Sequence, residues 1–415
     1  MVKVITYGTY DLLHYGHIRL LERARALGDY LIVGVTSDDF DKKRGKINVQ
    51  QSLIERIEAI RSTGIADKII VEEYDGQKID DIRRYDIDIF TVGSDWFGKF
   101  DYLRKYCQVV YLDRTNGISS SDLRAKKRKR NIAVLGDGII EKKFINECKY
   151  VNGVQISNDE IEAIYIVSTP NNHYEQIKKA LKEGKHVLCE SPIATKVNEC
   201  KELFEIAERQ NCILMEAIKT AYSTAYSRLL LLVKSGAIGN IISIDSTCTS
   251  MRDDLDNLDG KWNSISAWGP TALLPIFQLL GTDYIDKHIV SHYIDEYKKF
   301  DGFTKIDFIY PHAVASIKVA KSAKSEGELV ITGTKGYVYV PSPWWKTDYF
   351  EIRYENPQDN KRYFYQLEGE GIRYEIVAFN NSIQDCRNNG YIDKNISIAI
   401  SKIMEDCQSS AVIEI

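Results

Sequence analysis

Apolar and polar positions alternate along this chain in two rhythms. Val2 to Tyr7 is a short β-branched run that predicts a buried strand. From Gly16 onward Ile18, Leu20, Leu21, Ala24 and Leu27 recur at helical spacing, so the N-terminal segment predicts strand, tight loop and helix. The pattern repeats with strands at Tyr30 to Thr36, Lys68 to Val71, Ile87 to Val92 and Gln108 to Tyr111. Helices are expected between them at Ser52 to Ser62, Ile79 to Tyr85 and Phe100 to Tyr106. Such alternation predicts a parallel sheet wrapped by helices, with ligands beyond the C-terminal strand ends, where Thr9, Asp95 and Arg114 fall. A basic run, Ala-Lys-Lys-Arg-Lys-Arg-Asn at 125–131, then reads as a hydrated linker. A second block opens on the strand Ile132 to Leu135 and the turn Gly136-Asp137-Gly138.

Composition narrows the class. A chain of 415 residues exceeds one ordinary core and implies two or three domains. The net charge of −4 argues against a dedicated nucleic-acid binder. No apolar run reaches membrane-spanning length and the N-terminus starts directly in a strand pattern, so a cytoplasmic protein without membrane insertion is expected. The eight cysteines are scattered with no C-x-x-C pair, which predicts reduced, mostly buried thiols and supports neither a metal site nor a disulfide framework.

The candidate chemistry lies in the loop Gly8-Thr9-Tyr10-Asp11-Leu12-Leu13-His14-Tyr15-Gly16-His17. A helix start offers unpaired N–H groups and positive dipole character, and therefore binds phosphate. Gly16 removes a Cβ that would crowd a ligand, and His14 and His17 can face the same phosphate.

This loop resembles the H-x-G-H signature of the cytidylyltransferase superfamily, and Arg114-Thr115-Asn116-Gly117-Ile118-Ser119 resembles its R-T-x-G-I-S signature. Gly93 to Asp101 resembles a segment of the glycerol-3-phosphate cytidylyltransferases in particular. The resemblance covers residues 1–124 and implies a Rossmann-like nucleotidyltransferase domain. It implies transfer of CMP from CTP to glycerol 3-phosphate or a close polyol phosphate, with release of pyrophosphate. Mg²⁺ would enter with the triphosphate, and the product would feed cell-surface polysaccharide synthesis. His14, His17, Lys46 and Arg114 would carry the chemistry. Gly8, Thr9, Asp11, Gly16, Arg56, Asp95, Trp96, Thr115, Gly117, Ile118 and Ser119 would line the substrates. Lys46 belongs to the basic loop Lys42 to Lys46; a second family arginine falls on Gly64. Thr115 and Ser119 read equally well as helix caps, Trp96 as core, and Asp11 as a loop organiser. Adenylyl transfer to another phosphate acceptor uses the same H-x-G-H chemistry and stands as an alternative.

In the second block, Ile164 to His173 (with Thr169-Pro170-Asn171) and Gly184 to Pro192 resemble the Gfo/Idh/MocA oxidoreductases. The resemblance runs over residues 131–415, past Gly327 to Pro343 and on to Ser409-Ser410-Ala411. It implies a shortened dinucleotide-binding-like domain at 131–217, then an α+β domain at 218–415 with an open antiparallel sheet. A homo-oligomer, with a dimer favoured, is also implied. Gly136, Gly138, Thr169, Pro170, Asn171, Glu190, Pro192 and Lys219 would face NAD(P). The chain departs from that family in three places. About twenty residues between Gly138 and the strand near Ile161 are too few for helix, strand and second helix, so the acid that would hold the ribose has no obvious place. Ser191 stands where the family has its active-site lysine, and Trp268 to Pro275 replaces an expected acid followed by His or Tyr. Two readings stand: a second, NAD(P)-dependent reductase making the polyol phosphate, or a non-catalytic oligomerisation or binding scaffold.

Overall fold

The computed structural model describes residues 1–43, 46, 49–113, 129–251, 262–295, 297, 300–365, 367, 369–388, 390–409 and 412–415; of residues 42 and 43 only the backbone is described. The chain divides into two compact units, Met1–Arg128 and Lys129–Ile415.

The first unit is built on five strands: β1 (Lys3–Gly8), β2 (Tyr30–Thr36), β3 (Lys68–Glu72), β4 (Ile89–Gly93) and β5 (Gln108–Leu112). All pair in parallel in the order β3-β2-β1-β4-β5. Val4, Ile5, Leu31, Val33, Val35 and Phe90 are fully buried because helices cover both faces, which is why these strands read as nearly continuous apolar runs. The helices are α1 (Tyr15–Arg25), α2 (Asp38–Lys43), α3 (Leu53–Ser62) and α4 (Gln77–Tyr85). Ser52 and Glu55 form a reciprocal capping box that starts α3. The sequence pattern did not foresee α2, whose only large apolar residue is Phe40. The stretch expected as a helix at Phe100 to Tyr106 is a 3₁₀ segment, Asp101–Lys105. Phe100 turns into the core against Phe90 (centroids 5.2 Å apart), and one short turn beside it cannot hold a regular α-helix. The chain steps outward from β1 to β3, then reverses to β4 and β5. The split between β1 and β4 is the switch point at which such sheets place ligands.

The second unit opens with another parallel sheet, ordered β10-β9-β8-β6-β7. Its strands are β6 (Arg130–Gly136), β7 (Val154–Ile156), β8 (Ala163–Val167), β9 (His186–Glu190) and β10 (Leu214–Ala217). Helices α5 (Ile139–Cys148), α6 (Pro170–Lys182) and α7 (Val197–Arg209) connect them. The short span after Gly138 therefore holds one helix and a three-residue strand, and the second helix is missing between β7 and β8. After α8 (Thr224–Lys234) come β11 (Ile241–Thr249), α9 (Ser264–Leu280), β12 (Asp286–Asp295), β13 (Phe300–Ile309) and β14 (Val314–Ala320). Strands β15 (Leu329–Gly333), β16 (Tyr337–Val340), β17 (Tyr349–Arg353) and β18 (Lys361–Phe364) follow. The chain closes with α10 (Ile372–Gln384), α11 (Lys394–Asp406) and β19 (Ile413–Glu414).

The nine-stranded sheet runs β18-β17-β16-β15-β11-β14-β13-β12-β19. It is mixed rather than wholly antiparallel, because β11 pairs β14 in parallel and β12 pairs β19 in parallel. The helix α9 crosses over from β11, as a parallel connection requires, before the β12–β13–β14 meander returns beside it. The two C-terminal helices pack back on the parallel-sheet half, α10 against α5 and α11 against α7. All eight cysteines are free thiols, most of them buried.

Candidate functional site

In the first unit the loop after β1 is held from beneath. Tyr10 (φ 55°) and Leu12 (φ 50°) take left-handed backbone conformations, which turn the chain sharply before α1. His14 is the N-cap of α1, and its Nδ1 accepts the Gly16 N–H at 3.1 Å. That contact puts the proton of the neutral imidazole on Nε2. His17, in the first turn, stacks on His14 with ring centroids 3.8 Å apart and planes 21° from parallel; Tyr10 meets His17 edge-on at 5.5 Å. Two imidazoles and the open N–H groups of a helix start thus share one end of β1. The Thr9 hydroxyl donates to Asp41 Oδ1 at 2.7 Å and accepts from Lys46 Nζ at 2.9 Å, which draws the lysine toward the same loop.

Arg56 was expected on the substrate surface and Asp11 either there or as a loop organiser; both side chains are buried beneath the loop. The Arg56 side chain is fully buried, donating to the Thr9 carbonyl (2.7 Å), the Thr36 carbonyl (2.9 Å) and the Gln51 carbonyl (3.1 Å), and pairing with Asp38 and Asp41. A guanidinium already engaged on every side ties the loop to β2, α2 and α3. Buried Asp11 accepts the Gln50 and Gln51 N–H groups at 2.9 and 3.0 Å and organises the loop. Gly8 ends β1, and a Cβ there would lie 3.0 Å from the Tyr10 ring.

Asp95 and Trp96 sit in a 3₁₀ turn directly after β4, the strand beside β1. Trp96 is half-buried, packed on Phe100 at 5.9 Å with Lys99 Nζ 4.6 Å over its ring. Arg114, Thr115, Gly117, Ile118 and Ser119 lie outside the described residues. Asp38, Asp41 and Gln51 were missed by sequence reasoning. The only available signal for Asp41 was the acidic run Asp38-Asp39-Phe40-Asp41 facing a future arginine.

The second unit carries another cleft end. Gly136 (φ +134°) and Gly138 (φ +104°) lie exposed between β6 and α5. A Cβ on Gly136 would meet the Val167 carbonyl carbon at 2.7 Å, so β6 and β8 can end side by side only with glycine there. Gly138 caps α5 without a side-chain bond, and Thr169 begins α6 likewise, with Pro170 at the first helical position and Asn171 exposed after it. Leu135, Ile139 and Ile140 are exposed around the glycine turn. Two uncapped helix starts at adjacent strand ends, with apolar surface beside them, fit a dinucleotide.

At the ends of the next strands, β9 and β10, the polar groups are tied to one another. Glu190 is half-buried, and its desolvation raises its carboxyl, while the Tyr165 hydroxyl at 2.5 Å and Lys219 act in the opposite sense. Ser191 donates to buried Glu216, so the position of the family lysine holds a neutral hydroxyl already committed to a neighbour. The Pro192 carbonyl faces His173 Nδ1 at 2.7 Å, and the Ser168 carbonyl faces Nε2 at 2.8 Å. Burial lowers the His173 pKa. Lys219 follows β10 and points to Glu370 at 2.9 Å. Trp268, on α9, packs on Trp345 with centroids 4.9 Å apart. Sequence reasoning missed Tyr165, although it lies in the quoted Ile164 to His173 segment, and it missed Glu216 and Glu370, which lie outside the quoted motifs. Among the described residues, no three His, Cys, Asp or Glu side chains are grouped to hold a metal ion. No helix among them is long and apolar enough to cross a membrane.

Comparison with known proteins follows the same division. A cytidylyltransferase-like family model matches residues 5–126, and a model of the oxidoreductase family with NAD-binding Rossmann fold matches residues 142–218. Glycerol-3-phosphate cytidylyltransferase from Bacillus spizizenii is 49% identical over 124 residues, which span 30% of this chain and 95% of the relative. The enzyme of the same name from Staphylococcus aureus is 48% identical over 127 residues, spanning 30% of this chain and 93% of the relative. The second unit has the fold of a 3-ketoreductase from Actinomadura kijaniata solved with NADP (TM-score 0.58, 14% identity, 69% of this chain and 99% of that one).

Proposed function

Since this chain belongs, through its first unit, to the cytidylyltransferase family, we propose that it transfers CMP from CTP to glycerol 3-phosphate or a close polyol phosphate. The observation that carries this reading is the stacked pair His14 and His17 at the N-terminus of α1, beside Thr9 and Lys46. The acceptor's phosphate oxygen attacks the α-phosphorus of CTP. The new P–O bond forms as the bond to the β-phosphate oxygen breaks, and pyrophosphate leaves with that electron pair. The protein positions two anions and stabilises charge on the phosphoryl oxygens. His14 Nε2–H, the His17 ring and the first N–H groups of α1 donate to those oxygens, and Lys46 and Arg114 supply positive charge. Asp95, after β4, faces the base or ribose. Mg²⁺ would enter bound to the triphosphate and neutralise part of its charge.

The second unit adds an oxidoreductase fold to the transferase. Gly136, Gly138, Thr169, Pro170 and Asn171 would hold NAD(P), which would supply hydride transfer when bound. The open helix starts support that reading. Ser191, bound to Glu216, and α9, which carries no titratable side chain, favour the competing one, a unit that binds without reducing. The oxidoreductase resemblance of the second unit is what supports a homo-oligomer, with a dimer favoured. Because CTP and polyol phosphates are cytoplasmic solutes, the protein would work in the cytoplasm.

The test is a pyrophosphate-release assay crossing the ribonucleoside triphosphates with a panel of polyol phosphates. Release with CTP and a glycerol-type phosphate is expected. Release with ATP only would overturn the cytidine reading in favour of adenylyl transfer. Adding NADH or NADPH with keto-phosphates separates the readings of the second unit. Absorbance loss tied to product supports reduction, and no loss together with no calorimetric binding supports a scaffold.

A further inference from the structure

In the second unit three lysines from three separate elements converge on one carboxylate. Lys143 of α5 and Lys346 of the turn before β17 reach Glu370 Oε1 at 2.9 and 3.0 Å, and Lys219, after β10, reaches Oε2 at 2.9 Å. The four side chains keep between 27% and 41% of their surface exposed, so solutes can reach the cluster. The lysines hold the Glu370 carboxyl well below the usual carboxylate range. Nearby Arg373 is paired with Glu147 at 2.7 Å and leaves the balance unchanged. Behind Lys219 lie half-buried Glu190 and fully buried Glu375, and desolvation raises both carboxyls. Within hydrogen-bond distance, one carboxylate, that of Glu370, serves three ammonium groups.

The placement of Glu370 is unusual as well. It has φ 53° between Gly369 (φ 58°) and Gly371 (φ 92°), so three successive residues are left-handed. Such a conformation is strained for glutamate and persists only where other contacts impose it. A Cβ on Gly371 would lie 2.5 Å from the Lys219 carbonyl oxygen, so the loop is pressed against the segment that supplies one of the lysines. Two carboxylate oxygens serve three donors here, whereas a phosphate monoester offers three oxygens and a second negative charge.

We propose that Lys143, Lys219 and Lys346 form a binding site for the phosphate of a small phosphomonoester, and that Glu370 is the internal anion that holds the site until one enters. Glu370 need only rotate its side chain outward to vacate the lysines. The inference goes beyond nucleotidyl transfer, which belongs to the first unit, and it stands or falls separately.

The experiment uses the full chain carrying His17→Ala and Lys46→Ala, to weaken phosphate binding in the first unit, with glycerol 3-phosphate as calorimetric probe and glycerol as its neutral counterpart. Saturable binding of the phosphomonoester and none of glycerol is expected. Adding Lys346→Gln should weaken binding about tenfold, whereas adding Glu370→Gln should strengthen it several-fold by removing the competitor. Equal affinity in the three proteins, or binding of glycerol as tight as that of its phosphate, overturns the proposal. A folded Glu370→Gln chain that binds more weakly than its parent also overturns it, because Glu370 would then be part of the site rather than its occupant. Melting temperatures establish that each chain is folded. Cytidylyl transfer by the unmutated first unit, assayed in Glu370→Gln alone, distinguishes failure of this site from failure of the transferase reading.

Discussion

Arg56 Nη1 donates to the Thr9 carbonyl at 2.7 Å from a fully buried position. The contact joins α3 to the loop that precedes the two histidines, across forty-seven residues of sequence. It explains why an arginine expected on the substrate surface lies beneath the loop instead. The same nitrogen reaches the Thr36 carbonyl at 2.9 Å, so the ends of β1 and β2 are pinned to one group.

Arg56→Lys should therefore act on position rather than on chemistry. Lysine cannot serve the Thr9, Thr36 and Gln51 carbonyls together with Asp38, and buried groups would lose partners at a cost of about 2–4 kcal/mol. Thermal unfolding should shift down by several degrees, with KM for CTP rising more than kcat falls. An unchanged melting temperature would refute the role.

The two histidines can be separated by the cap. His17→Ala should lower kcat by about 10²-fold or more through loss of a donor to the transferring phosphoryl group, with stability nearly unchanged. His14→Asn should keep the N-cap, because asparagine also accepts from a first-turn N–H, while losing the Nε2 donor. It should therefore match the wild-type melting temperature and lose turnover. Near-normal turnover in either variant would remove that histidine from the mechanism.

Asp301 makes the second unit sensitive to pH. Burial raises its carboxyl to about 6, against the hydrogen bonds from Thr304 and the Ile265 N–H, and Oδ1 has no partner among the described residues. Because the folded pKa lies above the unfolded one, its stabilising contribution is present below pH ~4 and is lost as pH rises through ~6, a loss of about 3 kcal/mol. Asp301→Asn should flatten the stability profile between those values and raise the melting temperature at neutral pH. A variant whose denaturant midpoints follow the wild type across this range would contradict the assignment.

The two glycines of the second cleft should differ. Gly136→Ala places a Cβ 2.7 Å from backbone at φ +134°, so it combines strain with collision and should cost more than about 2 kcal/mol. Gly138→Ala meets open space at φ +104° and should cost only the backbone strain, about 1 kcal/mol. Urea midpoints give the comparison, and equal losses would show that the close approach of β6 and β8 is not decisive.

What the chain determines by itself is local. The β-branched runs, the His14-Tyr15-Gly16-His17 turn, the Ser52–Glu55 box and the Gly136-Asp137-Gly138 turn act over a few residues, and their spacing is enough to place them. Phe100 to Tyr106 was misread because its apolar residues suit a helix until Phe100 is drawn into the core. Which charges are covered and which meet is decided only by packing. Arg56 and Lys46 are both basic residues near one loop in sequence, yet the fold buries the first and leaves the second at the surface. Lys143 and Glu370, separated by 227 positions, become partners because α5, the turn after β10 and the Gly369–Gly371 turn are packed together. A charged side chain carries no periodic signature of its distant partner, so only the tertiary structure can bring three lysines to one carboxylate.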